Sequence, residues 1–151
     1  MNYWLFQANA EYFDLLRALR SSPTITWIVT RYRREMQEGD KVIIWRSGRT
    51  AGIYGVGHIE SFLTGSYNRQ NSAYWLDKTD TSYIGKPHAV VRVDDQFTDA
   101  PLLKSVLRFT PPLAKLSVMK APIGTNFKVT AEQWEALSSL LERRKGACSS
   151  S

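Results

Sequence analysis

The chain has 151 residues, of which 43% are hydrophobic and 23% charged, an ordinary composition for a folded domain. That length suits one domain with its own core and is too short for two. No stretch approaches the ~20 apolar residues of a membrane span, and the start lacks the basic and apolar segments of a secretory signal. The single cysteine, Cys148, excludes an internal disulfide. We therefore expect a cytoplasmic, reduced protein.

The net charge of +6 is concentrated in one segment. From Arg17 to Arg49 there are eight basic and three acidic residues, a net of +5, and the rest of the chain nets +1. A local excess of positive charge favours polyanions such as nucleic acid or acidic membrane. A solvated face that only keeps the protein soluble is an equally weighted alternative.

The first elements alternate between strand and helix. Asn2–Gln7 is an aromatic strand, and Asp14–Arg20 carries leucines at helical spacing. Thr24–Thr30 is β-branched around Trp27 and predicts a second strand. One helical turn is expected in Tyr32–Gln37.

A hairpin follows, in which Lys41–Arg46 pairs with Ile53–Ile59 across the turn Ser47–Gly52. In its first strand, alternation places one aliphatic pair on one face, and Ile43 with Trp45 on the other. The second strand contains several glycines, which indicates a bulge or a close approach of another group to the backbone. Open backbone beside basic and aromatic residues is typical of a nucleic-acid-binding surface.

The second half of the chain predicts fewer regular elements. A polar loop, a short aromatic segment and a strand are expected at Ser61–Ser72, Ala73–Leu76 and His88–Val93. They are followed by a short helix opened by Pro101 and running to Leu107, a marginal segment Ala114–Met119 and a loop Pro122–Asn126. Thr130 caps the last helix, and Gln133 closes a capping box.

These elements lack the regular βαβ alternation of a doubly wound parallel sheet. About five short strands with two or three helices instead predict an α+β fold, a small twisted barrel or sheet with helices packed outside. We expect one domain over residues 1–145 and a disordered tail at 146–151.

Residues suited to catalysis are sparse. His58, His88 and the one cysteine are too far apart in sequence to indicate a metal site, and the glycines of GIYGVG lie inside a strand rather than before a helix. Asp94 and Asp95 are neighbours and would point to opposite faces of a strand, so we assign them to a turn. The sequence predicts a binding protein, not an enzyme, with no cofactor and no metal.

Residues suited to binding flat bases are plentiful. Aromatic side chains sandwich a nucleobase while polar groups read its edge. The candidate walls, for each of which core packing is the alternative, are Trp27, Trp45, Tyr54, Tyr74 and Trp75. Backbone groups of strands 24–30 and 42–46 would help to read the base. Five arginines would contact phosphates: Arg31, Arg33, Arg34, Arg46 and Arg49.

Several strings resemble the EVE domain, a PUA-like fold related to the YTH domains that read methylated adenine in RNA. They are YWLFQAN near the start, TW at 26–27, EGDKVIIWRSG at 38–48, AGIYGVGHI at 51–59 and GTNFKVTAEQWEAL at 124–137. The resemblance spans about residues 2–142. It implies a PUA-like twisted pseudo-barrel of about five to six strands with two to three flanking helices.

The resemblance also implies a function. The domain would capture a flipped modified base, of the 5-methylcytosine, 5-hydroxymethylcytosine or N6-methyladenine type, in an aromatic cage, with DNA as the expected carrier. The expected protein partner is a separate nuclease or other effector, as in bacterial defence systems, and the domain itself is expected to be a monomer that binds no membrane. An RNA-binding module for modified tRNA or rRNA is the alternative. Less favoured are an enzyme acting on a modified nucleotide through Asp77, His58 or His88, and a domain that binds only proteins.

Residue roles follow from the same resemblance. Trp27 matches a cage aromatic, Trp75 a second cage tryptophan, and Asn9 lies near residues that read the base edge, with an N-cap for the first helix as its alternative. Trp45 is either pocket floor or core. Ile28 or Leu76 would contact a methyl group. The full set assigned to the base is Asn9, Thr26, Trp27, Ile28, Trp45, Ser47, Tyr74 and Trp75.

Overall fold

The computed structural model describes residues 1–63, 74–76 and 85–149, the last four as backbone alone. Most of the predicted polar loop and Asp77 therefore lie outside the described residues. Within the described part, the strands form one mixed sheet in the order β2-β5-β4-β3-β1-β7, and β6 pairs with β4. Their bounds are β1 Tyr3–Ala8, β2 Thr24–Ile28, β3 Lys41–Arg46, β4 Gly52–Leu63, β5 His88–Gln96, β6 Leu102–Leu103 and β7 Asn126–Val129.

Four α-helices accompany the described strands. They are α1 Leu15–Ser21, α2 Lys104–Leu107, α3 Ser117–Lys120 and α4 Ala131–Ser149, with 3-10 turns at Arg33–Glu35 and Leu113–Lys115. The predicted capping box is present: the Gln133 amide donates to the Thr130 hydroxyl at 3.1 Å, and the Thr130 amide donates to Gln133 Oε1 at 3.0 Å. The backbone of α4 continues beyond residue 146, where the sequence analysis began the tail.

The curled mixed sheet and its helices form a PUA-like α+β pseudo-barrel, as predicted. β1 and β3 run parallel, and β1 is antiparallel to β7. The side chains of β3 alternate between two cores, because successive strand residues point to opposite faces. This confirms the alternation predicted for Lys41–Arg46.

The α1-side core combines residues of five strands with the apolar face of α1. It includes Trp4, Phe6, Phe13, Leu15, Leu19, Trp27, Val42, Ile44, Ile59 and Val91. The α4-side core lies on the other face, beneath α2, α3 and α4. It includes Leu5, Ile43, Trp45, Ile53, Leu107, Val118, Phe127 and Leu137.

Three predictions of local structure are wrong. Residues 61–63 do not begin a loop, because they pair with β5 and extend β4. Pro101 does not open a helix, because Leu102–Leu103 pair with the start of β4 as β6 and delay the helix to Lys104. Asp94 and Asp95 lie inside β5 rather than in a turn, because β4 and β5 pair beyond Val93. As expected for strand neighbours, the two carboxylates have different partners: Asp94 lies 2.9 Å from His58 Nδ1, and Asp95 lies 3.3 Å from Lys145 Nζ.

Candidate nucleic-acid interface

Trp27 lies near the end of β2 and is held by the end of β1. Its indole Nε1 donates to the Gln7 carbonyl at 3.2 Å, and its ring centroid is 6.0 Å from that of Phe6. The side chain is 5% exposed and belongs to the α1-side core. Packing and a hydrogen bond together therefore fix the orientation of the indole.

Trp75 and Tyr74 reach the same core from a distant segment. The Asp14 amide donates to the Tyr74 carbonyl at 2.7 Å, and residues 74–76 run beside the chain that leads into α1. Phe13 contacts both rings edge-on, with centroid distances of 4.9 Å to Trp75 and 6.3 Å to Tyr74. Both side chains are half-buried and pack against the core that contains Trp27. The fold thus places both predicted cage tryptophans at one core.

Asn126 joins the two terminal strands of the sheet order. Its Oδ1 accepts from the Thr30 amide at 2.8 Å, and its Nδ2 donates to the Ile28 carbonyl at 3.2 Å. Asn126 is 0% exposed and also pairs with Phe6 in the β1–β7 ladder. One side-chain amide therefore bridges β7 to the segment that follows Trp27. Sequence reasoning missed this residue, although it lies within the GTNFKV string.

Gln7 connects Trp27 to the loop before β7. While its carbonyl accepts from the indole, its Nε2 donates to the Pro122 carbonyl at 2.9 Å and the Gly124 carbonyl at 2.6 Å. Gly124 has φ +126°, a conformation that favours glycine. The loop is consequently fastened beside Trp27.

The smaller base-binding candidates lie in β2 or directly after β1 and β3. Asn9 is exposed, and its Oδ1 accepts from the Glu11 amide at 2.9 Å. It does not cap α1, since that role belongs to Asp14, which accepts from the Arg17 amide. Ser47 is half-buried at the end of β3, where its amide donates to the Ala8 carbonyl at 2.9 Å.

The two remaining candidates of this kind flank Trp27 in β2. Thr26 is buried and Ile28 half-buried. Both residues pair with β5 through the backbone. Because successive strand residues point to opposite faces, their side chains lie on the face opposite the indole, and only their backbone adjoins it.

Trp45 pairs with Gln7 in the β1–β3 ladder, but its side chain points to the other face of the sheet, into the interior of the protein. It is 2% exposed and packs in the α4-side core with Leu5 and Ile53. Of the two roles left open for Trp45, the structure supports core packing. Tyr54, also proposed as a wall, is buried as well, and its hydroxyl donates to the Thr50 carbonyl at 2.6 Å.

The open-backbone interpretation of the hairpin is wrong. β3 pairs with β1 on one side and with β4 on the other, so its backbone groups are occupied by the sheet. A Cβ on Gly55 would lie 2.9 Å from the Asp95 carbonyl oxygen, and one on Gly57 would overlap that of Arg92. The glycines therefore admit the protein's own neighbouring strand, next to the register shift between Val56 and Gly57.

The five candidate arginines divide into two groups. Arg31, Arg33 and Arg34 follow β2, and Arg33 lies 3.6 Å from the ring centroid of Phe62, near the end of β4. Arg46 ends β3 and Arg49 lies in the turn before β4, where Arg46 Nη1 donates to Thr50 Oγ1 at 2.7 Å. Arg33 and Arg46 therefore lie near opposite ends of the twelve-residue strand β4, whereas Arg31 donates to the Asn126 carbonyl.

The model of the EVE domain family matches residues 2–140. The chain belongs to the EVE domain family. No curated protein sequence matches the chain significantly.

Solved structures share the fold of this EVE domain at low sequence identity. A hypothetical protein from Leishmania major aligns with a TM-score of 0.69 at 18% identity, over 96% of this chain and 97% of that one. PSPTO5229 from Pseudomonas syringae aligns with a TM-score of 0.63 at 23% identity, over 91% of this chain and 98% of that one. Human THYN1 in complex with 5-methylcytosine-containing DNA aligns with a TM-score of 0.65 at 15% identity, over 93% of this chain and 97% of that one.

Groups suited to metal binding are not assembled in the described part of this EVE domain. Its His, Cys, Asp and Glu residues form no cluster of three that could hold a metal ion. His58 faces Asp94, whereas His88 is buried with Nδ1 at 2.9 Å from the Lys86 carbonyl oxygen. The described helices include none with the length and apolar content needed to cross a bilayer.

Proposed function

We propose that this EVE domain binds DNA that contains a modified base and captures that base, flipped out of the stack, at Trp27 and Trp75 without catalysing a reaction. The observation that carries the proposal is the convergence of these two tryptophans on the α1-side core. Human THYN1, which has the same fold at 15% identity, was crystallised with 5-methylcytosine-containing DNA. We therefore place 5-methylcytosine first, ahead of 5-hydroxymethylcytosine and N6-methyladenine.

The expected net free energy of capturing the base is small. Taking a base out of the stack costs a few kcal/mol, and stacking on an aromatic side chain returns roughly 1–3 kcal/mol. Trp27 is 5% exposed, so side chains above its ring must move aside, and half-buried Trp75 is the readier first contact. A methyl group buried against an aliphatic side chain such as Leu76, which follows Trp75, adds about 0.8 kcal/mol, or roughly fourfold in affinity.

Phosphate contacts are assigned to the arginines nearest Asn9 and Trp27. Arg46 ends β3 and Arg49 lies in the turn that follows, where the Ser47 amide donates to the Ala8 carbonyl and a Cβ on Gly48 would lie 3.5 Å from that of Ala10. That turn adjoins Asn9, the proposed base-edge reader. Arg31 approaches from the other side, because its Nη2 donates to the Asn126 carbonyl at 3.1 Å. Arg33 and Arg34 would contact more distant phosphates.

Fluorescence polarisation with one oligonucleotide series tests the proposal. The series carries cytosine, 5-methylcytosine, 5-hydroxymethylcytosine or N6-methyladenine, as DNA and as RNA, at two salt concentrations. We expect selective binding of one modified DNA that weakens as salt rises. Preference for modified RNA would support the RNA-binding alternative. The absence of any preference for a modified base would refute the proposal that the domain recognises one.

Trp27→Ala and Trp75→Ala should each weaken binding of the preferred oligonucleotide by about fivefold to a hundredfold, because a stacking surface is lost. Trp134→Ala is the matched control, since Trp134 stacks on Tyr3 at 5.7 Å beside the α4-side core. Its affinity should stay within about twofold of the parent protein. Unchanged affinity in both Trp27→Ala and Trp75→Ala would refute the cage.

A further inference from the structure

Ile123 is the most exposed large apolar side chain in the described part of the chain, at 91%. It lies in the loop between α3 and β7. An isolated exposed aliphatic side chain is common on protein surfaces, but the position and attachment of this one are specific.

The backbone on both sides of Ile123 is fastened to the Trp27 site. Gln7 Nε2 binds the carbonyls of Pro122 and Gly124 at 2.9 and 2.6 Å, and the Gln7 carbonyl accepts from the Trp27 indole at 3.2 Å. A single residue thus ties the proposed base-stacking ring to the turn that carries the exposed side chain. Ile123 is presented at a defined position rather than on a free loop.

A basic side chain adjoins the same turn. Arg31 Nη2 lies 3.6 Å from the position that a Cβ on Gly124 would occupy, and it donates to the Asn126 carbonyl. The Ile123 turn therefore combines an apolar tip with a guanidinium group at its base. Proteins that distort duplex DNA use this combination, with a cation on the phosphates and an apolar wedge between base steps.

We propose that Ile123 enters the base stack of duplex DNA and fills the gap left when the target base moves to Trp27 and Trp75. This inference rests on the proposed function and extends it, because it assigns the domain a double-stranded target. The vacated position in a duplex is bounded by the apolar faces of the neighbouring bases. An aliphatic side chain that is almost fully exposed in the free protein loses water on entering that gap, which favours the flipped state.

Binding to three forms of one 5-methylcytosine oligonucleotide tests the wedge: the single strand, the fully paired duplex, and the duplex with an abasic site opposite the modified base. Ile123→Ala should weaken binding to the paired duplex by about fivefold to tenfold. The same variant should change binding to the single strand by less than about twofold, because no gap has to be filled there. The abasic duplex should show an intermediate loss.

Val106→Ala is the matched control, because Val106 is 58% exposed on α2, beside the α4-side core. It should bind all three forms like the parent protein. A 2-aminopurine beside the modified base should brighten when the parent protein binds the duplex, and brighten less with Ile123→Ala.

The possible failures are distinguishable. If Ile123→Ala binds the paired duplex as the parent does, or weakens all three forms equally, the wedge is refuted while the base reader stands. If the parent protein prefers modified over plain cytosine in none of the three forms, the proposed function fails and the wedge fails with it.

Discussion

The two cores of this domain are closed in different ways. Three helices cover the α4-side core, in which Trp45 is 2% exposed among aliphatic neighbours. Among the described residues, the α1-side core is covered by one seven-residue helix and by the half-buried aromatic pair at 74–75, and its border includes the polar residues Gln7 and Asn126. A core sealed by helices serves stability, whereas incompletely covered aromatic rings with polar neighbours suit a flat ligand.

Replacing one tryptophan in each core should give the largest contrast. Trp45→Ala leaves a cavity in a sealed core and should lower the free energy of unfolding by about 3–5 kcal/mol. Trp75→Ala removes a half-buried ring and should cost less than about 2 kcal/mol. Urea unfolding followed by far-UV circular dichroism measures both. Equal losses in the two variants would contradict the distinction between the cores.

The Asn126 bridge should contribute an intermediate amount. Asn126→Ala leaves the Thr30 amide and the Ile28 carbonyl without their partner, so we expect a loss of about 2–4 kcal/mol in unfolding free energy. Asn2→Ala is the control: exposed Asn2 donates to the Glu35 carbonyl at 2.9 Å, and its loss should stay below about 1 kcal/mol. If the two variants were equally stable, the bridge would not hold β2 against β7.

The ion pair outside both cores should have the smallest effect. Lys128 Nζ lies 2.9 Å from Glu35 Oε1, and this hydrogen bond raises the lysine pKa above its ordinary 10.5. A lysine pKa that is raised by folding stabilises the folded state below the unfolded pKa, and that contribution disappears as pH rises through the folded pKa. The small difference in unfolding free energy between the parent and Lys128→Met should therefore be constant between neutral pH and the ordinary lysine pKa of 10.5. It should disappear at higher pH, as the pH rises through the raised pKa of the folded state.

High salt at neutral pH should also reduce this difference, because both side chains are about half exposed. Unfolding curves at several pH values and two salt concentrations check both effects. A difference that persists in strongly alkaline solution would mean that Lys128 acts through packing on Tyr32, whose ring centroid is 4.8 Å away.

Local patterns predicted the elements whose signal spans several residues. The alternation of Lys41–Arg46 predicted a strand with two apolar faces, and the Thr130–Gln133 box predicted the start of α4. β7 was missed because four residues, Asn126–Val129, are too few to show a period. The glycine strand was misread because a bulge against a neighbouring strand and an approach by a ligand leave the same sequence pattern.

The candidate site depends on contacts between distant parts of the chain. Trp27 and Trp75 were singled out through the family resemblance, and their convergence on Phe6 and Phe13 follows from the fold. Asn126 and Gln7 have no distinguishing sequence signal, since a polar residue in a short strand is usually solvated. Their roles arise from partners in other elements, which a linear pattern does not contain.

The distribution of the five tryptophans gives the domain an optical reporter. Trp45 and Trp134 lie in or beside the α4-side core, and Trp4 is buried in the α1-side core, where Trp27 and Trp75 adjoin the proposed binding site. A base that stacks there would quench the emission of those two indoles and leave a steady background from the other three. The unlabelled protein can therefore report occupancy of this site by its own fluorescence.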